Sequence, residues 1–179
     1  MEPMLTSTGR PLRNSVRLAD FDYASDSIYF ITICSAQRRL TFGSIRQERI
    51  VLSPLGAIVQ EEWMRGETLR PGIIIGEYQI MPNHFHALVF IPASPSSDLP
   101  TERTGPPSRN KRSLSSLIAQ FKATVTRRAN RELAVGNIWQ RGFFEQVVRD
   151  SSSLESIERY IAENPMNWNR DPDNPASRE

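Results

Sequence analysis

Both histidines of this chain fall inside one decapeptide, Met81-Pro82-Asn83-His84-Phe85-His86-Ala87-Leu88-Val89-Phe90, and no other stretch limits its chemistry as tightly. The run is apolar and reads as a β-strand. Successive strand side chains point to opposite faces, so His84 and His86 share one face about 6.6 Å apart along the backbone, while Phe85 enters the other. Two imidazoles side by side can hold one metal ion; the alternative is a pair of rings each satisfied by backbone or water. Pro82 cannot donate a ladder hydrogen bond and fits where the strand begins.

The rest of the chain supplies elements to pack around that strand. The run Ile28-Tyr29-Phe30-Ile31-Thr32-Ile33-Cys34 has no polar alternation, which predicts a central strand covered on both faces. Gln37-Arg38-Arg39 reads as loop, and a short, weak β signal runs from Phe42-Gly43 to Leu52. Ser53-Pro54 gives a cap and first-turn proline for a helix whose buried stripe is Leu55, Ile58, Val59 and Trp63. Ile73-Ile74-Ile75 with Tyr78 and Ile80 forms the strand leading into the histidine pair. From Pro92 to Asn110 the chain carries five prolines and four serines, too many for regular structure, and a mobile loop is expected. Leu114, Leu117, Ile118, Phe121 and Val125 then mark one helical face, with Ser113 as cap. Residues 138–148 read as a final strand. Ser152 and Glu155 form a capping-box pattern opening a helix through about Glu163, with Leu154, Ile157 and Ile161 buried; Asn164-Pro165 ends it.

A length of 179 residues suits one core, and the expected organisation is a flexible basic arm at 1–20, a single domain at 21–168 and a disordered tail at 169–179. No apolar run approaches the roughly 18 residues of a membrane span, and Met1-Glu2-Pro3-Met4 has no signal-peptide centre, so a cytoplasmic, nucleoid-associated protein is expected. Cys34 is the single cysteine; no intrachain disulfide is possible, and a buried small hydrophobe is its simplest role.

Net charge is only +2, but it is unevenly placed. Arg103, Arg109, Lys111, Arg112, Lys122, Arg127, Arg128 and Arg131 follow one another with no acid between them, whereas from Glu145 onward acids outnumber bases, eight to four. Charge alone leaves two readings open, a polyanion-binding face and a solvated helix face. Tyr160 and Asn164, four residues apart, share a helix face if helical geometry persists, one a candidate nucleophile and the other a candidate oxygen ligand.

Five stretches together resemble the single-tyrosine HUH transposases of bacterial insertion sequences, and most closely the REP-associated tyrosine transposases. They are Tyr29-Phe30-Ile31-Thr32-Ile33-Cys34, Tyr78-Gln79-Ile80-Met81-Pro82-Asn83-His84-Phe85-His86, Ser113-Leu114 through Phe121-Lys122, Ile138-Trp139-Gln140-Arg141-Gly142-Phe143-Phe144, and Tyr160-Ile161-Ala162-Glu163-Asn164-Pro165. The resemblance implies an α+β fold, a ferredoxin-like antiparallel sheet backed by helices, and a homodimer. It also implies a divalent metal, Mg²⁺ or Mn²⁺, held by His84 and His86 with Asn164 as third ligand. Tyr160 would attack a phosphate of single-stranded or hairpin DNA, leaving a covalent 5′-phosphotyrosine. Related enzymes often carry glutamine where this chain has the shorter Asn164. Lys111, Arg112, Lys122, Arg127 and Arg128 become expected DNA-backbone contacts, while Gln140 and Arg141 are explained equally well by packing.

The activity expected is metal-dependent nicking and joining at hairpin sites such as repetitive extragenic palindromes. A catalytically silent hairpin-binding module with a regulatory role is the alternative; it would keep binding after loss of His84, His86 and Tyr160. A small-molecule metal hydrolase is disfavoured because no carboxylate lies within the histidine motif.

Overall fold

The computed structural model describes residues 27–69, 72–92 and 113–178. The expected basic arm and nearly all of the Pro/Ser-rich loop lie outside these residues. Four strands form one antiparallel sheet: β1 (Ser27–Cys34), β4 (Ile74–Ile80), β5 (His84–Ile91) and β6 (Phe144–Val148), in the order β4-β5-β1-β6. Helix α1 (Pro54–Leu69) joins β1 to β4, and α2 (Leu114–Leu133) joins β5 to β6. A hairpin, β2 (Gly43–Arg46) and β3 (Arg49–Leu52), is inserted before α1, and helix α3 (Ser151–Glu163) follows β6. Without the hairpin and α3 the chain reads β-α-β-β-α-β, the ferredoxin-like arrangement.

Strand alternation divides the sheet into two differently covered faces. Ile31, Ile33, Phe85, Ala87 and Val89 point to one face, where Leu55, Ile58, Val59 and Trp63 of α1 and Leu114, Leu117, Ile118, Phe121 and Val125 of α2 complete the main core. Trp63 anchors it, its ring edge-on to Phe85 at 4.7 Å and to Phe121 at 5.0 Å. Ile28, Phe30, Leu88 and Phe90 point to the other face and meet Leu154 and Ile161 of α3. His84 and His86 continue this second row beyond the apolar part. The register places Gln79, His86, Thr32 and Phe144 side by side across all four strands.

Three local expectations are corrected. The last strand begins at Phe144 instead of Ile138, because Gly142 adopts a left-handed φ of 75° and breaks the extended run, leaving an isolated bridge between Ser35 and Trp139. The cap of α3 is Asp150, whose carboxylate accepts from the Ser153 amide at 2.8 Å, in place of Ser152. The tail expected to be disordered forms two 3₁₀ turns, Trp168–Arg170 and Pro175–Arg178. Short polar side chains satisfy its backbone locally: Asp171 accepts from the Asp173 amide at 2.7 Å, and Asn174 donates to the Trp168 carbonyl at 3.0 Å.

Candidate metal centre and nucleophile

Asn83 decides the state of His84. Its amide nitrogen donates to the Asp173 carbonyl at 2.7 Å and to the Arg38 carbonyl at 3.3 Å, so its oxygen must be the atom facing His84 Nδ1, 2.9 Å away. An amide oxygen only accepts; the His84 proton therefore sits on Nδ1, and Nε2 keeps its lone pair. That Nε2 is buried without a hydrogen-bond partner. A buried polar atom with no partner is costly, and an imidazole held by an outer hydrogen bond with its other nitrogen free has the form of a metal ligand.

The second imidazole meets a hydroxyl, which can donate or accept, where the first meets an amide oxygen. His86 Nδ1 meets Thr32 Oγ1 at 2.9 Å, and its Nε2 faces the Tyr160 hydroxyl at 3.4 Å, too long for a strong hydrogen bond. The two rings are 4.4 Å apart. Helix α3 presents Tyr160, with its ring edge-on to Phe30 at 6.1 Å and 5.3 Å from His86. Asn164 keeps helical geometry at the end of α3, as the spacing requires, and its side-chain oxygen is the second buried acceptor with no partner. The ordered tail adds Asp171, with one carboxylate oxygen 3.8 Å from His84 Nε2. An imidazole nitrogen without a hydrogen-bond partner and a carboxylate face one another across that gap, an arrangement that a cation between them would relieve. Among the described residues no three His, Cys, Asp or Glu side chains meet as a metal cluster, and the unpartnered Asn164 oxygen is a further donor. His84 Nε2, His86 Nε2 and Asn164 Oδ1 fit a divalent ion of the kind that accepts mixed nitrogen and oxygen ligands.

Burial tunes these groups for that task. Desolvation, with His86 and Arg38 nearby, holds His84 well below the usual imidazole range. Desolvation lowers His86 to about 3. Both rings are therefore neutral near pH 7, as ligands must be. The Tyr160 hydroxyl is pushed up by desolvation and by the Asp171 carboxylate, with the Asn164 amide pulling the other way. It remains a phenol at neutral pH, and the nitrogen that faces it at 3.4 Å, His86 Nε2, is the one that a metal would take. One lone pair cannot serve both at once.

The histidine shifts carry a pH dependence. The unfolded chain protonates these rings near pH 6.5, the folded chain only at lower pH, so acidification favours the unfolded state. Stability from His86 is present above pH 6.5 and is lost as pH falls toward about 3. Melting in chelator from pH 7 to pH 4 is expected to destabilise the wild type more than His86→Gln. Equal losses would remove His86 as the cause.

A cleft of about 550 Å³ opens beside this cluster, lined by Phe30, Thr32, His86, Arg141, Phe144 and Tyr160, with Arg38, Gln140 and Asp173 also at its walls. Lys122 shapes its rim. Its ammonium donates to the carbonyls of Gln140, at 2.9 Å, and Gly142, and the Trp139 indole returns a bond to the Lys122 carbonyl at 3.2 Å. Lys122 thus holds the 139–142 loop, a different use from the phosphate contact expected. Lys122→Met is expected to cost about 1.5–3 kcal/mol, because two bonds from a charged donor are lost. That corresponds to a fall in melting temperature of about 3–12 °C; an unchanged value would contradict the anchoring role.

Arg127 and Arg128 are carried on α2, away from the cleft. Helix α2 covers the opposite sheet face, and Arg128 is engaged by Glu61 at 2.6 Å, Glu132 at 3.0 Å and Glu62 at 3.1 Å. Those carboxylates, Glu61 first, raise its affinity for its proton further. Arg127 is exposed on the same helix. Lys111 and Arg112 lie outside the described residues.

An uncharacterised protein of Haemophilus influenzae is 33% identical to this chain over 164 residues, covering 89% of this chain and 91% of that protein. The chain belongs to its family. Among solved structures, a REP-associated tyrosine transposase bound to a REP hairpin superposes with a TM-score of 0.55 at 17% identity, covering 79% of this chain and 68% of that one. The ferredoxin-like fold expected from the resemblance is therefore shared with that transposase. No family model matches the chain, and among the described residues no helix is long and apolar enough to cross a membrane.

Several site residues escaped sequence reasoning. Asn83 and Thr32 orient the imidazoles through side-chain bonds that no spacing reveals. Asp171 and Asp173 fall in the stretch read as a disordered tail, so neither was a candidate. Arg38, in what reads as loop, forms an ion pair with Asp173 across the cleft wall.

Proposed function

We propose that this chain is a metal-dependent single-strand DNA endonuclease and strand transferase, acting at hairpin sites of the REP type through a covalent 5′-phosphotyrosine on Tyr160. The observation that carries the reading is the bare, buried Nε2 of His84, held in that state by Asn83 and facing Asp171, within the cluster that also contains His86, Asn164 and Tyr160. His84 and His86 would hold Mg²⁺ or Mn²⁺ with Asn164. When bound, the cation supplies charge neutralisation at a phosphate oxygen, lowering the barrier to attack by an anionic or developing phenolate.

The chain's own residues do the rest. Helix α3 carries Tyr160 to the wall of the cleft, where the residue is half-exposed and therefore reachable by a polymer substrate. Phe30 and His86 restrict its ring, so little orientational freedom is left to lose on reaction. In the step itself an Oη–phosphorus bond forms and the phosphorus–O3′ bond breaks; the phenolic proton is balanced by protonation of the leaving 3′-oxygen. The phosphodiester energy is retained in the tyrosyl ester, which permits rejoining to another 3′-hydroxyl. The likeness to a transposase bound to a REP hairpin supports hairpin DNA as substrate. Incubation of a hairpin oligonucleotide with the protein and Mn²⁺ or Mg²⁺, followed by a denaturing gel, tests the reading: a protein–DNA adduct is the expected product.

A further inference from the structure

Phe144 is a large aromatic side chain left 57% exposed. It is not at a random surface position. It opens β6, directly opposite Thr32, which is itself opposite His86, so the three side chains stand in a row on the face that carries the candidate site. Two residues further along β1 on that face, Phe30 is covered to 8% exposure by α3 and Tyr160. Helix α3 leaves Phe144 uncovered, and the same cleft holds Phe144, Tyr160, Arg38 and Arg141. At about 550 Å³ this cleft lies within the range of sites that take a small molecule or a nucleotide, roughly 300–1,000 Å³.

We infer that Phe144 is a stacking platform for a nucleobase of single-stranded DNA next to the phosphate that Tyr160 attacks, with Arg141 at the rim near its backbone. The inference rests on the nuclease reading and adds a base subsite to it. An aromatic ring left half in water is unfavourable for the folded chain alone, and every base offers a π-face to cover it, whatever the sequence. Arg141, exposed at the cleft wall, suits the charge of a flanking phosphate, whereas Arg38 is paired with Asp173. The 139–142 loop that carries Arg141 and leads into Phe144 is held by Lys122 through the Gln140 and Gly142 carbonyls.

The test uses the full chain carrying Tyr160→Phe, so that binding is read without cleavage. The probes are a hairpin with oligothymidylate tails and the same hairpin with abasic tails, equal in charge but lacking bases. The base-bearing probe is expected to bind about five- to a hundredfold more tightly, as for one stacked base. Phe144→Ala and Phe144→Leu should each abolish that preference while keeping the affinity for the abasic probe, and Phe144→Trp should keep the preference. The leucine variant retains apolar bulk and guards against a fold defect. Preference that persists in Phe144→Ala and Phe144→Leu, or is absent in the parent, overturns the subsite even if the adduct forms. Preference that vanishes only with the aromatic ring supports it even where no metal yields an adduct, in which case the nuclease reading fails by itself.

Discussion

Tyr160→Phe is expected to eliminate the covalent protein–DNA adduct, reducing strand cleavage by more than about a thousandfold while hairpin affinity changes little. The substitution removes one oxygen. The ring keeps its contacts with Phe30 and His86, so fold and cleft should persist, and the lost atom is the one that forms the bond to phosphorus. Loss of a nucleophile is not made good by neighbouring groups, because positioning and charge stabilisation then have nothing to act upon. Incubation with a hairpin oligonucleotide and Mn²⁺, resolved on a denaturing gel, gives the readout. An adduct that survives in Tyr160→Phe would move the nucleophile elsewhere. Retained hairpin binding with no adduct in the wild type, under any divalent metal, would instead favour the silent binding module.

His84→Ala should weaken divalent-metal binding by more than about a hundredfold, since changes in outer partners alone typically cost ten- to a hundredfold. Isothermal titration with Mn²⁺ measures this without any DNA. Thermal melting gives an independent check: a ligand at a hundred times its dissociation constant stabilises by about 2.7 kcal/mol, a rise of about 5–10 °C for a chain of this size. The wild type should show that rise, and His84→Ala should not. Asn83→Ala is informative beside it. It leaves the imidazole but removes the acceptor that fixes the Nδ1 proton, so a smaller loss of metal affinity is expected. Unchanged Mn²⁺ affinity in His84→Ala would sink the metal assignment.

How much of this was legible beforehand differs between elements. Apolar patterning located five segments: the stripes of α1, α2 and α3 repeat at the helical period, and β1 and β5 are continuous apolar runs. It failed at residues 138–143, where apolar side chains suggest a strand but Gly142 turns left-handed and the backbone bonds go to β1's end and to Lys122. It failed again in the tail, where no stripe exists and order comes from side chains bonding nearby backbone. The basic stretch was visible, but the partners of its members were not. Lys122 and Arg128 look alike in sequence as phosphate ligands, yet the fold commits them to two carbonyls and three carboxylates.

Sequence by itself determined that His84 and His86 share a strand face and that Tyr160 and Asn164 share a helix face, because both facts follow from periods of two and of nearly four residues. Tertiary structure decided that these faces meet. Packing of α3 against Phe30 and Leu88 brings Tyr160 to His86 and leaves Asn164 Oδ1 without a partner. Asn83, held by backbone carbonyls from Arg38 and Asp173, frees the His84 lone pair, and Asp171 comes to face it. Such contacts join residues up to 90 positions apart; local spacing carries no record of them, and only the assembled sheet, helix and tail fix which lone pairs remain bare.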